Sequence, residues 1–233
     1  MSSAFAGFGE RALELYEGLH ADNSRTYWQA HLDVYRADVA APLAALAEAL
    51  TAEFGPVKTF RPNRDVRFSA DKRPYQEHAA LAALGDSGTA GRGEGRPVVG
   101  GLYAALSTDG LFVAGGYHRP ARDQLERFRT LQDDAAAAAD LDALLADLAA
   151  AGYPLDDGEP LRTAPRGWAR DHPRISLLRR TSLTVSRTHE PGPWLFEPAC
   201  LDVVLDGWRT ARRWCSWLDL HVGAGTLPDR VRR

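Results

Sequence analysis

The fold of this chain is decided by residues 98–117, VVGGLYAALSTDGLFVAGGY. Two apolar runs, 98–106 and 111–117, are separated by the quartet Ser107-Thr108-Asp109-Gly110. Such a quartet is typical of a turn between two antiparallel strands, because glycine adopts positive φ without a steric cost. The sequence therefore predicts a β-hairpin near the middle of the chain.

Helical patterns precede this hairpin. Apolar residues recur at steps of three and four over residues 8–19 and again over 28–54, which is the spacing of one face of an amphipathic helix. Asp22-Asn23-Ser24, between the two stripes, contains good N-cap residue types. Pro42 interrupts the second stripe, so we expect a kink or a restart of the helix there.

The same spacing continues after the hairpin. It predicts helices over residues 120–131, 141–152 and 198–218, while residues 182–189 form a predicted strand. These elements indicate the α+β class, with a central, mainly antiparallel sheet flanked by amphipathic helices. We expect residues 1–233 to form a single α+β domain with a flexible glycine-rich loop at about 85–96.

The segment between the N-terminal helices and the hairpin has a different pattern. Alternation over residues 57–70 predicts a strand, and its polar face carries Asp65, Arg67 and Ser69. Proline at position 74 ends this strand, and a short helix is predicted over residues 76–84.

The composition excludes several classes of protein. The 233 residues are 45% hydrophobic and 25% charged, which are globular values and not those of a disordered chain. The longest uncharged stretch, residues 97–108, is too short to span a membrane. Cys200 and Cys215 lie on one predicted helix, about 22 Å apart at roughly 1.5 Å per residue, which excludes a disulfide. Unpaired thiols and the lack of a signal pattern predict a cytoplasmic protein.

Charge is distributed unevenly along the chain. The net charge is −3, which argues against a protein that coats nucleic acid. However, residues 55–75 carry +4 and residues 160–190 carry +5, whereas the helical segments 1–54 and 120–159 carry −5 and −7. If the two basic segments meet, they form a basic pocket inside an acidic shell, and such a pocket attracts anions. The alternative is that their arginines pair with the acidic helices.

The densest polar stretch is residues 61–75, RPNRDVRFSADKRPY. Guanidinium groups bind carboxylate or phosphate through a planar fork. One of only two lysines in this arginine-rich chain also lies here, so we interpret it as retained for its compact ammonium group. The candidate catalytic residues of the stretch are Asp65, Ser69, Asp71 and Lys72, and its candidate ligand-binding residues are Arg64, Arg67 and Tyr75. The alternative is a structural lattice of ion pairs.

A second polar stretch contains Arg166-Gly167-Trp168 and Asp171-His172-Pro173-Arg174. We predict His172 as a catalytic acid or base. The candidate ligand-binding residues outside the first stretch are Arg166, Arg174 and His118. The alternative is a turn in which Gly167 and Pro173 serve the backbone geometry.

The string RDVRFSADKRPY, residues 64–75, resembles the core motif of the domain of unknown function 2461 family of bacteria and fungi. Residues 106–117, LSTDGLFVAGGY, and the stretch from APRGW at residue 164 to DHPRISLLRR, which ends at residue 180, are similar to that family as well. This chain departs from the family at Asp22, where the family usually has asparagine. The resemblance implies a single α+β domain, and it implies no activity or cofactor.

These observations favour a basic pocket that binds a phosphate- or carboxylate-bearing small molecule. An enzyme that also transforms this molecule is a second form of the same hypothesis. A nucleic-acid or protein-binding module that uses the same basic face is an alternative, which the acidic helical segments disfavour. A metal-dependent enzyme, with His118, Asp171, His172 and His189 as ligands, is a second alternative. We predict no metal site, because no H-x-x-x-H or C-x-x-C spacing is present. The sequence indicates no particular cofactor or oligomeric state.

Overall fold

The computed structural model describes residues 4–67, 71–84 and 100–225. The helices are α1 (Ala12–Ala21), α2 (Arg25–Ala30), α3 (Leu32–Val34), α4 (Ala41–Phe54), α5 (Arg122–Thr130), α6 (Ala135–Ala150), α7 (Ile175–Leu178) and α8 (Ala199–His221). The strands are β1 (Val57–Thr59), β2 (Ala79–Leu84), β3 (Gly101–Ser107), β4 (Gly110–Tyr117) and β5 (Leu183–His189). Short turns of π-helix (Tyr35–Ala40) and 3-10 helix (Leu131–Asp133, Pro193–Phe196) complete the regular structure.

The five strands form one antiparallel sheet in the order β1-β2-β3-β4-β5. With the helices before and after it, this sheet confirms the predicted α+β class. The predicted hairpin is β3 and β4, and Gly110 at its turn has a φ of +103°. A Cβ at this position would lie 2.1 Å from the carbonyl oxygen of His189 at the end of β5. Glycine is therefore required both by the turn and by the neighbouring strand.

The prediction of a helix over residues 76–84 is wrong. Residues 79–84, AALAAL, form β2, which pairs antiparallel with β1 in the register Val57↔Ala83, Lys58↔Ala82 and Thr59↔Leu81. Residues 79–83 are all buried, so the strand lacks the polar alternation by which a half-exposed strand is recognised. Alanine and leucine favour helix locally, but pairing with β1 overrides this preference.

The prediction of a continuous strand over residues 57–70 is also wrong, since β1 ends at Thr59. Pro62 lacks the N–H group that a central strand needs. Farther along, Asp65 Oδ1 accepts a hydrogen bond from the backbone N–H of Arg67 at 3.3 Å, which turns the chain locally. Asp65 and Arg67 therefore lie in a loop. Ser69 lies outside the described residues.

The N-terminal helices follow their local signals in part. Ser24 Oγ accepts a hydrogen bond from the N–H of Tyr27 and caps α2 at its N-terminus. Pro42 lies in the first turn of α4. The π-helix Tyr35–Ala40 runs directly into α4, and Ala40 and Ala41 keep helical backbone angles. The helix therefore changes from π to α next to Pro42, without the break that a restart would require.

The chain divides into two compact units. Unit 1 comprises Met1–Ala83, Tyr103–Val113 and Thr188–Gly207, and unit 2 comprises Leu84–Leu102, Ala114–Arg187 and Trp208–Arg233. The core of unit 1 includes Tyr16, Leu19, Leu46, Leu50 and Leu111. The core of unit 2 includes Tyr117, Phe128, Leu141, Trp208 and Trp214. The single domain stays a prediction, and the glycine-rich loop at about 85–96 lies outside the described residues.

Helix α8 carries both cysteines. Cys200 and Cys215 are buried and free, which confirms the predicted absence of a disulfide between them. Burial raises the pKa of both thiols to about 12, and the nearby carboxylate of Asp219 adds to the effect at Cys215. Among the described residues, no helix combines the length and the apolarity needed to cross a membrane.

Candidate functional site

The predicted site falls on one loop of unit 1. We name residues 61–67 and 71–77 the arginine loop. Its two arms run antiparallel, since Asn63 pairs with Tyr75 in an isolated β-bridge. The N–H of Arg64 donates to the carbonyl of Pro74 at 2.8 Å, and the N–H of Gln76 donates to that of Pro62 at 2.7 Å. Backbone pairing thus positions the charged side chains.

Asp71 is the centre of an ion-pair network in the arginine loop. Its carboxylate accepts hydrogen bonds from Arg73 Nη2 at 2.8 Å, from the backbone N–H of Arg73 at 3.0 Å and from Arg64 Nη1 at 2.7 Å. The hydrogen bonds from Arg73, followed by that from Arg64, hold the pKa of Asp71 well below its usual range. A carboxylate this weakly basic is a poor general base near neutral pH. The geometry therefore supports an orienting role for Asp71.

The network continues to Glu77 and to the end of α1. Glu77 accepts hydrogen bonds from Arg73 Nη1 and from Asn23 Nδ2, and its other oxygen lies 3.2 Å from His20 Nδ1. Burial raises the pKa of Glu77, but the hydrogen bonds from His20 and Asn23 and the charge of Arg73 outweigh it, so the pKa lies below its usual range. Two carboxylates, those of Asp71 and Glu77, thus bind the Arg73 guanidinium.

Arg67 and Lys72 are exposed cations of the arginine loop. Asp65 binds Arg67 in a fork, with Nε to Oδ1 at 3.0 Å and Nη2 to Oδ2 at 2.8 Å, and this hydrogen bonding raises the pKa of Arg67. The Arg67 side chain is nevertheless 75% exposed. Lys72 Nζ donates to the carbonyl of Val66 at 3.1 Å. The ammonium therefore lies against Val66, the residue that precedes Arg67 in the chain.

Tyr75 is a packing residue in this geometry. Its ring is buried and stacks on Trp28, with the centroids 4.4 Å apart and the planes 13° from parallel. Asn23 Oδ1 accepts from the backbone N–H of Tyr75 at 3.0 Å, and Asn23 Nδ2 donates to its carbonyl at 3.2 Å. The ring therefore anchors the loop to α2.

The sequence prediction missed four residues that belong to this network or lie beside it: His20, Asn23, Glu77 and His78. The first two are more than fifty positions away in the sequence, and the N-cap pattern that includes Asn23 does not predict a contact with this loop. His78, just before β2, is half-buried. Burial, and then the positive charge of Arg64, lower the pKa of His78, while Glu77 opposes the shift. The imidazole is therefore neutral near neutral pH.

The second polar stretch forms a hydrogen-bonded cluster within unit 2. The Arg174 guanidinium binds Asp142 in a fork, at 2.6 and 2.7 Å, and its Nε donates to Gln132 Oε1 at 2.9 Å. His172 Nδ1 accepts from the backbone N–H of Arg174, which leaves Nε2 as the donor to Asp133 Oδ1 at 3.0 Å. These contacts tie the 172–174 turn to Asp133 and α6.

The remaining candidates lie on the surface of unit 2. Arg166 and His118 are exposed. Gly167 has a φ of +89°, and a Cβ there would meet no atom within 4 Å. Its glycine is therefore explained by the backbone turn. Across the described residues, no three His, Cys, Asp or Glu side chains are grouped so that they could hold a metal ion.

The predicted basic pocket stays a prediction. Two surface hollows lie along α5, α6 and α8. Neither hollow includes a residue of the arginine loop or of residues 162–180. The exposed cations of the arginine loop are Arg61, Arg67, Lys72 and Arg73.

Comparison with known proteins supplies a family. A family model described as "Conserved hypothetical protein (DUF2461)" matches residues 11–217, a range that contains α1, the arginine loop, the hairpin and most of α8. No curated protein matches the chain, and no solved structure does. Since the family match covers most of the sequence, this chain belongs to the DUF2461 family.

Proposed function

We propose that the arginine loop binds a small anion that carries a phosphate or carboxylate group, with Arg67 and Lys72 as its direct ligands. The observation that carries this proposal is the hydrogen bond from Lys72 to the carbonyl of Val66. This bond holds the exposed ammonium against Val66. The next residue in the chain is Arg67, whose guanidinium is exposed. Two adjacent cations form a minimal anion site.

The charge balance of the loop supports this proposal. The described loop carries five cations, Arg61, Arg64, Arg67, Lys72 and Arg73, against three carboxylates, Asp65, Asp71 and Glu77. The carboxylates therefore orient the cations without neutralising them all. Asp65 takes Nε and Nη2 of Arg67, so within the described residues Nη1 is left for a ligand.

Hydrogen-bond capacity supports it as well. A lysine ammonium has three donors, and Val66 takes one of those of Lys72. Phosphate and carboxylate oxygens accept several short, charge-assisted hydrogen bonds, and they match both the point charge of lysine and the fork of arginine. The low pKa of Asp71 favours a binding role over acid–base chemistry at this position.

The acidic segments around the loop favour a small anion over a long polyanion. The N-terminal helical residues 1–54 carry a net charge of −5, and α1 supplies His20 to the same network. A continuous phosphate track would run from the loop onto acidic surface, and the repulsion would weaken binding. A small ligand contacts only the cations.

Calorimetric titration of the full chain at low salt tests this proposal, with inorganic phosphate, pyrophosphate and citrate as probes. We expect at least one probe to bind, and Arg67→Ala and Lys72→Ala each to weaken it at least about tenfold, since a charged hydrogen bond contributes roughly 1.5–3 kcal/mol. Lys58→Ala is the matched control, because Lys58 is an exposed lysine on β1, outside the loop. It retains wild-type affinity.

Three outcomes contradict the proposal. If all probes fail to bind at low salt, the loop is a structural ion-pair lattice. The same conclusion follows if Arg67→Ala and Lys72→Ala unfold the protein. Salt-sensitive binding of a single-stranded oligonucleotide, with no binding of the small anions, would instead assign the surface to nucleic acid.

A further inference from the structure

One loop of unit 2 carries cations that the described fold leaves without ion pairs. We name residues 161–171, LRTAPRGWARD, the tryptophan loop. The arginines of this loop are all exposed: Arg162, Arg166 and Arg170. Among the described residues, no carboxylate lies within ion-pair distance of these three guanidinium groups, whereas Arg174, just beyond the loop, is paired with Asp142. The three guanidinium groups are therefore available to a partner.

Hydrogen bonds fix both ends of the tryptophan loop. Where the loop begins, the N–H of Leu161 donates to the carbonyl of Arg179 at 2.8 Å. Where it ends, the next residue, His172, donates through Nε2 to Asp133 Oδ1 at 3.0 Å. A loop whose ends are held before binding loses less conformational entropy when a partner contacts it.

Trp168 stands between two of these arginines in the chain. Its N–H donates to the carbonyl of Pro165 at 3.1 Å, which places it in a turn. Its ring meets that of His172 edge to face, with the centroids 5.4 Å apart, and the residue is only partly buried. Tryptophan and arginine are enriched among the residues that dominate the binding energy of protein interfaces. This composition therefore favours a protein contact.

Acidic groups limit the length of anion that the tryptophan loop can accept. Before the loop, Asp157 and Glu159 are exposed. After it, Asp133 and Asp142, which contact the 172–174 turn, are 65% and 59% exposed. The basic surface is therefore bounded by carboxylates where the loop begins and where it ends. A short acidic segment contacts only the arginines, whereas a long polyanion would extend onto these carboxylates and be repelled.

We propose that the tryptophan loop is a docking site for a short acidic segment of a partner protein. Carboxylates of that segment pair with Arg166 and Arg170, and an apolar side chain beside them packs on the indole of Trp168. Charge complementarity selects this occupant, because the guanidinium fork matches a carboxylate in charge and in geometry. The carboxylates at the ends of the loop require the flanks of the segment to be neutral or basic.

Fluorescence anisotropy of labelled peptides with the full chain at low salt tests this proposal. The probe carries a central run of glutamates between lysine flanks, and a second peptide has the same composition with glutamate and lysine in alternation. We expect the probe to bind, and the alternating peptide to bind at least about tenfold more weakly, because the charges of the site are grouped. Arg166→Glu, Arg170→Glu and Trp168→Ala each weaken binding of the probe at least about tenfold.

Arg119→Glu is the matched control. Arg119 is another exposed arginine of unit 2, it lies outside the tryptophan loop, and its replacement changes the net charge by the same amount. This variant binds the probe within about twofold of the wild type, because charges outside a contact surface contribute little to affinity. Circular dichroism verifies that each variant is folded.

Three results overturn the proposal. One is the absence of probe binding at low salt. The second is an equal loss of binding in Arg166→Glu and Arg119→Glu, since the attraction would then follow the net charge of the whole chain. The third is binding of a single-stranded oligonucleotide without binding of the probe, which would assign the loop to nucleic acid. None of these results bears on the arginine loop, whose residues are unchanged in every variant.

Discussion

The side-chain amide of Asn23 hydrogen-bonds both backbone polar groups of Tyr75, a residue 52 positions later in the chain. Oδ1 accepts from the N–H at 3.0 Å and Nδ2 donates to the carbonyl at 3.2 Å. The amide therefore makes the two hydrogen bonds that the backbone of a neighbouring strand would make. It fixes one arm of the arginine loop to the start of α2. The stacking of Tyr75 on Trp28 makes the same connection through the ring.

Replacing Asn23 tests this connection. Asn23→Ala leaves the two backbone groups of Tyr75 without their side-chain partner, and we expect the free energy of unfolding to fall by about 2 kcal/mol or more. Asn23→Asp is expected to be comparably destabilising, because it replaces the donor with a carboxylate close to Glu77. Urea denaturation measures both effects.

The control for these variants is Asp22→Asn, a change at the exposed neighbouring position that is expected to stay within about 0.5 kcal/mol of the wild type. Equal stability of Asn23→Ala and the wild type would show that the amide does not anchor the loop.

The low pKa of Asp71 predicts a dependence of stability on pH. Its pKa in the folded protein lies below the value of about 3.9 expected for an unfolded chain. Its contribution is therefore fully present above that value and is lost as the pH falls through the folded pKa. We expect Asp71→Asn to flatten the decline of the urea midpoint at acidic pH, and to lower the midpoint at neutral pH.

Asp33→Asn provides the control for acid titration, because the Asp33 side chain is 97% exposed. Its profile is expected to follow the wild type. A steep acid decline that persists in Asp71→Asn would place the responsible carboxylate elsewhere.

His78 supplies an independent test of the electrostatics. Burial and the charge of Arg64 lower its folded pKa, so the unfolded chain takes up a proton near pH 6.5 that the folded chain resists. Stability therefore declines as the pH falls through that range. We expect Arg64→Gln to raise the pKa of His78, as measured by NMR titration of the imidazole. Arg61→Gln, an exposed cation of the same loop, leaves it unchanged.

If the His78 titration in Arg64→Gln coincides with that of the wild type, the guanidinium does not repel the protonated imidazole. Burial alone would then explain the shift.

Arg174 is predicted to stabilise unit 2. Arg174→Ala removes the fork to Asp142 and leaves the buried Gln132 oxygen without its donor. We expect the free energy of unfolding to fall by about 2 kcal/mol. Arg174→Lys recovers only part of this loss, because an ammonium cannot reproduce the planar fork to Asp142 together with the hydrogen bond to Gln132.

Arg166→Ala is the matched control, because this arginine is exposed on the same stretch, and we expect a change within about 0.5 kcal/mol. Calorimetry with the anion probes distinguishes the two roles proposed for Arg174. Loss of anion binding without loss of stability would support the predicted ligand-binding role of Arg174.

The candidate site was predictable only in part. Arg64, Arg67, Asp71 and Lys72 stand within one stretch, so composition alone indicated a charged surface. The pairing of Asp71 with Arg73 is local as well. The links to Asn23 and His20 join residues more than fifty positions apart, and no local pattern encodes them. The predicted contact between the two basic segments, residues 55–75 and 160–190, likewise depends on contacts between distant residues.

The sequence by itself determined the hairpin, the helix boundary at Ser24 and the α+β class, because turns, caps and amphipathic stripes act between near neighbours. Only the tertiary structure decided that AALAAL at 79–84 is strand β2, since a run buried on both faces has no periodicity to distinguish it from a helix. Tertiary structure also decided that the strand predicted over residues 57–70 ends at Thr59 and is followed by the arginine loop. Its backbone pairing, its anchor at Asn23 and its ion pairs stabilise a geometry that alternation of side chains does not specify.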